Sequence, residues 1–176
     1  MTATIAALPR RAIRAMTEDE LPAAAKLLHR CWHDAYRRHL PPRLLTGRTE
    51  DYWVDYLGQR LSRTWLAWIG DRPAGLISVT ANCVDDLWVA RRYRRRGLGR
   101  DLLDTALGHL AARGFEHAQA GCEDFNTDAL AFFRRLEWAE IGSEPLLGLV
   151  PGQQVNALVF SRPVESLVGR EPAATD

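Results

Sequence analysis

The sequence predicts a mixed α/β (α+β) fold built on a mostly antiparallel sheet with one parallel strand pair, and three observations predict it. The first is the stretch from Val84 to Arg113. There an apolar, β-branched and aromatic run passes into a loop dense in arginine, and the loop into a helix with Leu98, Leu102, Leu103, Ala106, Leu107 and Leu110 on one face. The second is a hairpin signal, with Trp65–Ile69 and Ala74–Thr80 as strands about the turn residues Gly70-Asp71-Arg72-Pro73. The third is Glu116–Cys122, a strand candidate that follows the helix after Gly114. A strand reached through a helical crossover lies parallel to the strand it left.

Taken in order, Met1 to Arg11 reads as a flexible arm and Ala12–Met16 as a short strand. Thr17-Glu18-Asp19-Glu20 has the spacing of a capping box. A helix follows with Leu21, Ala24, Leu27, Leu28, Cys31 and Trp32 as its apolar face. Pro22 fits a helix interior poorly, so either the first turn is distorted or the helix starts later than Thr17. Leu40-Pro41-Pro42 breaks the chain, and Thr49–Leu61 forms a second helix with Tyr52, Trp53, Tyr56, Leu57 and Leu61 facing inward. After the hairpin, Asn82 marks another turn. Gly114 stands where a left-handed C-cap belongs, at the end of the leucine-faced helix. Asn126 is a good N-cap for a short helix carrying Phe132 and Phe133. Ala139–Ser143 and Asn156–Arg162 read as closing strands, joined through Pro145–Gln154 with a turn at Pro151-Gly152.

A strand, a glycine turn and a helix start make a cradle for phosphate. The first helical amides have no intrahelical partner, the helix dipole adds positive potential, and glycine admits a bulky anion to the backbone. Here the turn also carries arginines, which grip phosphate through two hydrogen bonds at once. Arg94-x-x-Gly97-x-Gly99, placed after Leu87-Trp88-Val89, resembles the pyrophosphate-binding motif of the GNAT superfamily, the acetyl-CoA-dependent N-acetyltransferases. It is not the dinucleotide fingerprint, which needs a third glycine and a longer spacing. A second stretch also resembles the family: Asn126, Ala129, Phe132 and Trp138 match its asparagine-alanine-phenylalanine motif. That stretch departs from the pattern twice, with Phe133 at a usual tyrosine and Glu137 at a usual glycine. Trp32-x-x-Ala35-Tyr36 before the proline break is similar to the helix that walls the acceptor site in a large subset of the family; the spacing also suits a plain packed aromatic pair.

The resemblance spans about residues 12–162 and implies a GNAT-like fold: a mixed, mostly antiparallel sheet of six to seven strands with a central splayed parallel pair, flanked by about four helices. It implies an acetyl-CoA-dependent N-acetyltransferase that passes an acetyl group to a primary amine of a small molecule or peptide by direct attack. On the cofactor side it implies Leu87 and Val89 against the pantetheine arm and Arg94 opening the cradle. The amides of Arg95, Arg96, Gly97, Leu98, Gly99 and Arg100 then surround the pyrophosphate, with Asn126 and Phe132 nearby. Trp32 and Tyr36 would line the acceptor site. A carboxylate at the start of the central strand often takes the amine's proton in this family. Alternation puts Asp85 on the face of Leu87 and Val89, and Asp86 on the other, unless a bulge intervenes; Asp85 is the expected base. Phe133 has no proton for the leaving thiolate. Water, Tyr36 or Tyr93 takes that role, or transfer is slow.

Length and composition agree with one domain of 176 residues, 47% apolar and 26% charged. The organisation expected is an arm over 1–11, a single domain over 12–162 and a disordered tail over 163–176. A net charge of +1 argues against a surface given over to nucleic acid, although the arginines from Arg91 to Arg100 keep an arginine-patch nucleic-acid binder as one alternative. A CoA-binding sensor without catalysis is the other, suggested by Phe133 and Glu137. Cys31, Cys83 and Cys122 are too scattered for a metal or disulfide framework, so no metal is expected and the cysteines read as free thiols. With no membrane-length apolar run and no signal peptide at the N-terminus, the expectation is a cytoplasmic monomer or homodimer with neither membrane nor nucleic-acid partners.

Overall fold

A computed structural model of the chain describes residues 10–146 and 155–164. Seven strands make one sheet: β1 (Arg11–Ala15), β2 (Thr64–Ile69), β3 (Arg72–Thr80), β4 (Cys83–Val89), β5 (His117–Glu123), β6 (Ala139–Pro145) and β7 (Asn156–Pro163). Their spatial order is β1-β2-β3-β4-β5-β7-β6, antiparallel at every step except between β4 and β5. The helices are α1 (Leu21–Tyr36), α2 (Pro42–Thr46), α3 (Glu50–Gly58), α4 (Leu98–Ala112) and α5 (Thr127–Arg135). This is the fold class expected, with α2 as an additional helix after the proline break. Pro42 opens that five-residue helix, at the position where a missing N–H costs nothing.

Alternation along the strands sorts side chains into two cores. Leu66 and Leu76 face Leu28, Trp53 and Leu57 of α1 and α3. Ala67 and Ile77, one residue on, face Leu98, Leu102, Leu103 and Leu110 of α4, together with Phe133 and Phe160. Side chains of period two feed both layers from the same strands.

Pro22 lies in the first turn of α1, which begins only at Leu21 after a single 3₁₀ turn over Glu18–Glu20. Thr49 caps α3 by accepting a hydrogen bond from the Tyr52 amide at 3.2 Å. Gly114 adopts φ +79° just past α4. Arg11 and Pro163, expected at the inner edges of the arm and tail, instead belong to β1 and β7. Arg10 accepts from the Gly70 amide at 2.9 Å, and Val164, expected in the tail, is buried and donates to the Glu116 carbonyl at 2.8 Å; residues 1–9 and 165–176, and the expected Pro151-Gly152 turn, lie outside the described residues.

Two irregularities position the site. β4 and β5 pair only at Cys83↔Gln119 and Val84↔Ala120. β4 runs on to Val89 and β5 to Glu123 without further pairing, so the two strands open away from each other. On its other side, β4 carries a bulge: Ser78 opposes Asp86 while Val79 opposes Val84, leaving Asp85 as the extra residue.

Candidate active site

The loop after β4 turns sharply into α4. Arg95 and Gly97 both take left-handed backbone conformations, at φ +61° and +81°. The first helical bond of α4 runs from the Asp101 amide to the Gly97 carbonyl at 3.1 Å. The amides of Leu98, Gly99 and Arg100 precede it and have no carbonyl four residues back within the helix. A Cβ on Gly99 would stand 3.3 Å from Phe132 Cε2 and 3.7 Å from Val89 Cγ2. The missing side chain therefore lets the start of α4 pack closely against Phe132 of α5 and Val89 at the end of β4. The partnerless amides at this turn can serve as an anion cradle, a geometry that suits a pyrophosphate.

Arg94 lies differently from its neighbours. Its Nε donates to the Val89 carbonyl at 2.9 Å, fastening the loop to β4. Arg95, Arg96 and Arg100 are exposed around the cradle. Leu87 and Val89 are half-buried on the α4 face. Asn126 accepts from the Ala129 amide at 3.4 Å and so caps α5.

On the α1 face the opening meets a wall of aromatic rings and carboxylates. Tyr36, 7% exposed, stacks on Trp32 at 5.0 Å and meets Phe125 edge-on at 5.6 Å. Its ring is 6.1 Å from that of Trp88 on β4, and its hydroxyl donates to Glu123 Oε2 on β5 at 2.7 Å. Tyr36 thus bridges the two diverging strands. Asp86, also 7% exposed, accepts from Ser78 Oγ at 2.6 Å, Tyr56 Oη at 3.0 Å and Trp88 Nε1 at 3.1 Å. Asp85, lifted out by the bulge, is exposed and accepts from the Thr80 hydroxyl. Burial, with the negative charge of Glu123, pushes the Tyr36 phenol far above its ordinary value. Burial and Asp86 do the same to Tyr56. Both shifts favour the neutral phenol, the form that donates the observed hydrogen bonds.

Phe133, 6% exposed, belongs to the core. It stacks on Phe160 at 5.3 Å and meets Trp138 edge-on at 5.3 Å. Glu137 takes φ +59°, the left-handed conformation that glycine adopts without strain. His33 packs on His29 at 4.3 Å and on Trp32 at 5.5 Å. Burial raises the Cys31 thiol to about 11 and the Cys122 thiol to about 12, as suits packed free thiols.

The structure brings together the cradle residues, and separately Trp32 and Tyr36 with Asp86. Sequence reasoning missed Glu123, Tyr56 and Ser78. Glu123 sits three residues before Asn126 in a recognised stretch, but its partner Tyr36 is 87 residues away. Nothing in the sequence connects the two.

The profile of the acetyltransferase (GNAT) family matches residues 21–138. No curated protein sequence matches the chain. Solved structures share its architecture. A GCN5-related N-acetyltransferase from Rhodopseudomonas palustris is 17% identical over 92% of this chain and 99% of its own, with a TM-score of 0.70. The ribosomal-protein-S18-alanine N-acetyltransferase from Escherichia coli is 20% identical over 92% and 97%, at 0.64. The yncA protein from Salmonella typhimurium, solved with its cofactor acetyl-CoA, is 17% identical over 95% and 98%, at 0.69. At these identities the likeness is one of fold.

Proposed function

The chain belongs to the acetyltransferase (GNAT) family, and from that membership we propose that it is an acetyl-CoA-dependent N-acetyltransferase acting on the primary amine of a small molecule or peptide. One observation carries the reading: the segment of β4 that loses its partner strand has a phosphate cradle at one end and a carboxylate-bearing aromatic wall on one face. Membership alone supports acyl transfer; the wall is what supports an amine.

When bound, acetyl-CoA supplies an activated thioester carbonyl. The amides of Leu98, Gly99 and Arg100 would hold its pyrophosphate, with Arg95, Arg96 and Arg100 adding charge around it. Main-chain groups of Leu87 and Val89, freed from β5, would pair with the pantetheine arm beside Asn126 and Phe132. Trp32, Tyr36 and Trp88 would exclude water from the amine, and their faces attract it while it is cationic.

Attack requires a neutral amine, so a group must take a proton. Asp86 already accepts three hydrogen bonds and orients the wall. Glu123 accepts one at Oε2, while Oε1 has no hydrogen-bond partner among the described residues. In this reading Glu123 Oε1 takes the amine's proton, Tyr36 Oη gives its own to the departing sulfur, and Glu123 restores it. A second reading keeps Asp85 as the base, reaching the amine through water, because the bulge frees its carboxylate from the ladder.

The test is a screen of amines for release of free CoA, with the product identified by mass. Turnover with cationic primary amines that have an apolar body is expected. Tight acetyl-CoA binding with no turnover on any amine would replace the transferase with a CoA sensor.

A further inference from the structure

A cavity of about 490 Å³ lies beside the cradle but on the α1 face of the sheet. Its walls are one side of α1, the first residues of β3 and the residues just after β4. No residue of β5, α4 or α5 lines it. It therefore sits across β4 from the β4–β5 opening and apart from the start of α4.

The cavity is cationic. Lys26, Arg30, Arg72, Arg91 and Arg92 line it against a single carboxylate, Asp34. Five positive charges against one negative leave an excess of four, in a chain whose whole net charge is +1. Among the described residues Lys26, Arg30, Arg91 and Arg92 make no ion pair. Arg72 has only its exposed neighbour Asp71, at 4.0 Å. Lys26 and Arg30 are also one helical turn apart on α1, a like-charged spacing that disfavours the free helix. Such crowding is relieved by an anion. Guanidinium forks match phosphate oxygens. The floor is apolar, from Leu27, Pro73 and Ala90, and the volume is that of a small-molecule site.

We infer that this cavity is a second phosphate site, distinct from the cradle, for a phosphate group carried on a small organic body. The phosphate has two chemical sources: the 3′-phosphate of the CoA nucleotide, or a separate phosphorylated metabolite. The inference rests on the cavity's own charge; only the first source depends on the proposed cofactor.

Lys26→Gln with Arg30→Gln tests it, since both side chains are exposed on α1 and the melting temperature reports that the fold persists. Calorimetry reads two titrations in wild type and double variant. In the first, acetyl-CoA is compared with acetyl-3′-dephospho-CoA. In the second, inorganic pyrophosphate is added to protein saturated with acetyl-CoA. If the source is the cofactor, wild type prefers the 3′-phosphorylated form by about tenfold, and the double variant erases that preference. If it is a separate ligand, saturated wild type binds pyrophosphate, and the double variant binds it about tenfold more weakly. Wild type showing neither effect, or a double variant matching wild type in both, overturns the inference.

Discussion

The two ends of the candidate site are built in opposite ways. The cradle comes from consecutive residues, Arg94 to Arg100, and its shape is set by local backbone: a left-handed Gly97, a helix start and the bare Cα of Gly99. The proposed acceptor wall comes from five elements, with Tyr36 on α1, Tyr56 on α3, Ser78 on β3, Asp86 and Trp88 on β4 and Glu123 on β5. Its shape is set by how α1 and α3 pack on the sheet. The cradle can therefore be conserved in form while the wall varies, as suits a shared cofactor and a private acceptor. If this division holds, changes in the cradle should act on cofactor binding and changes in the wall on the amine.

Gly99→Asp should have the largest effect. It forces a Cβ against Phe132 and sets a carboxylate beside the helix-start amides proposed to hold the phosphates. Like charges at contact distance near a protein surface repel by about 4 kcal/mol, so turnover at fixed acetyl-CoA should fall by at least about 100-fold.

Glu123→Gln should come next, lowering kcat/KM for the best amine by about 100-fold, the low end of what a positioned general base contributes. Asp85→Asn should stay within about twofold of wild type by the same comparison; the reverse ranking would move the base to the bulge. Tyr36→Phe should lower kcat. Because the phenol's pKa is raised, its proton is retained as pH rises, so wild-type kcat should show no loss near pH 10, about where free tyrosine ionises. A Tyr36-dependent fall near pH 10 would contradict the buried donor.

Two smaller effects concern the departures from the family pattern. Phe133→Tyr puts a hydroxyl among Phe160, Trp138 and Phe132, and an unpaired buried hydroxyl costs about 1–3 kcal/mol. A drop of several degrees in Tm without a gain in kcat is expected; a higher kcat would mean that the position reaches the reacting sulfur. Glu137→Gly relieves the left-handed backbone of an exposed residue, a strain of about 1 kcal/mol. A rise in Tm of roughly 3 °C follows, with activity unchanged.

The same contrast explains what could be read beforehand. The strand, loop and α4 were legible because each step depends on neighbours: β-branched residues, Gly97, then leucines at helical spacing. The parallel β4–β5 step followed from the crossover rule. The bulge at Asp85 was not legible, because it depends on the register of β3 against β4, which alternation within one strand does not set. Nor was the Tyr36–Glu123 bond, which depends on where the end of α1 arrives over β5. Pro22 was half legible. Its misfit to a helix interior pointed to a later start, and Leu21 is that start. Phe133 was read for its chemistry as a missing acid; its place in a ring stack with Phe160, supplied by a strand 27 positions on, was out of reach.

Calorimetric titration of acetyl-CoA into wild type, Gly99→Asp and Glu123→Gln tests the division of the site most directly. The account predicts wild-type affinity in Glu123→Gln and a loss of at least about 100-fold in Gly99→Asp. Wild-type affinity in Gly99→Asp, or an equal loss in both variants, would contradict it.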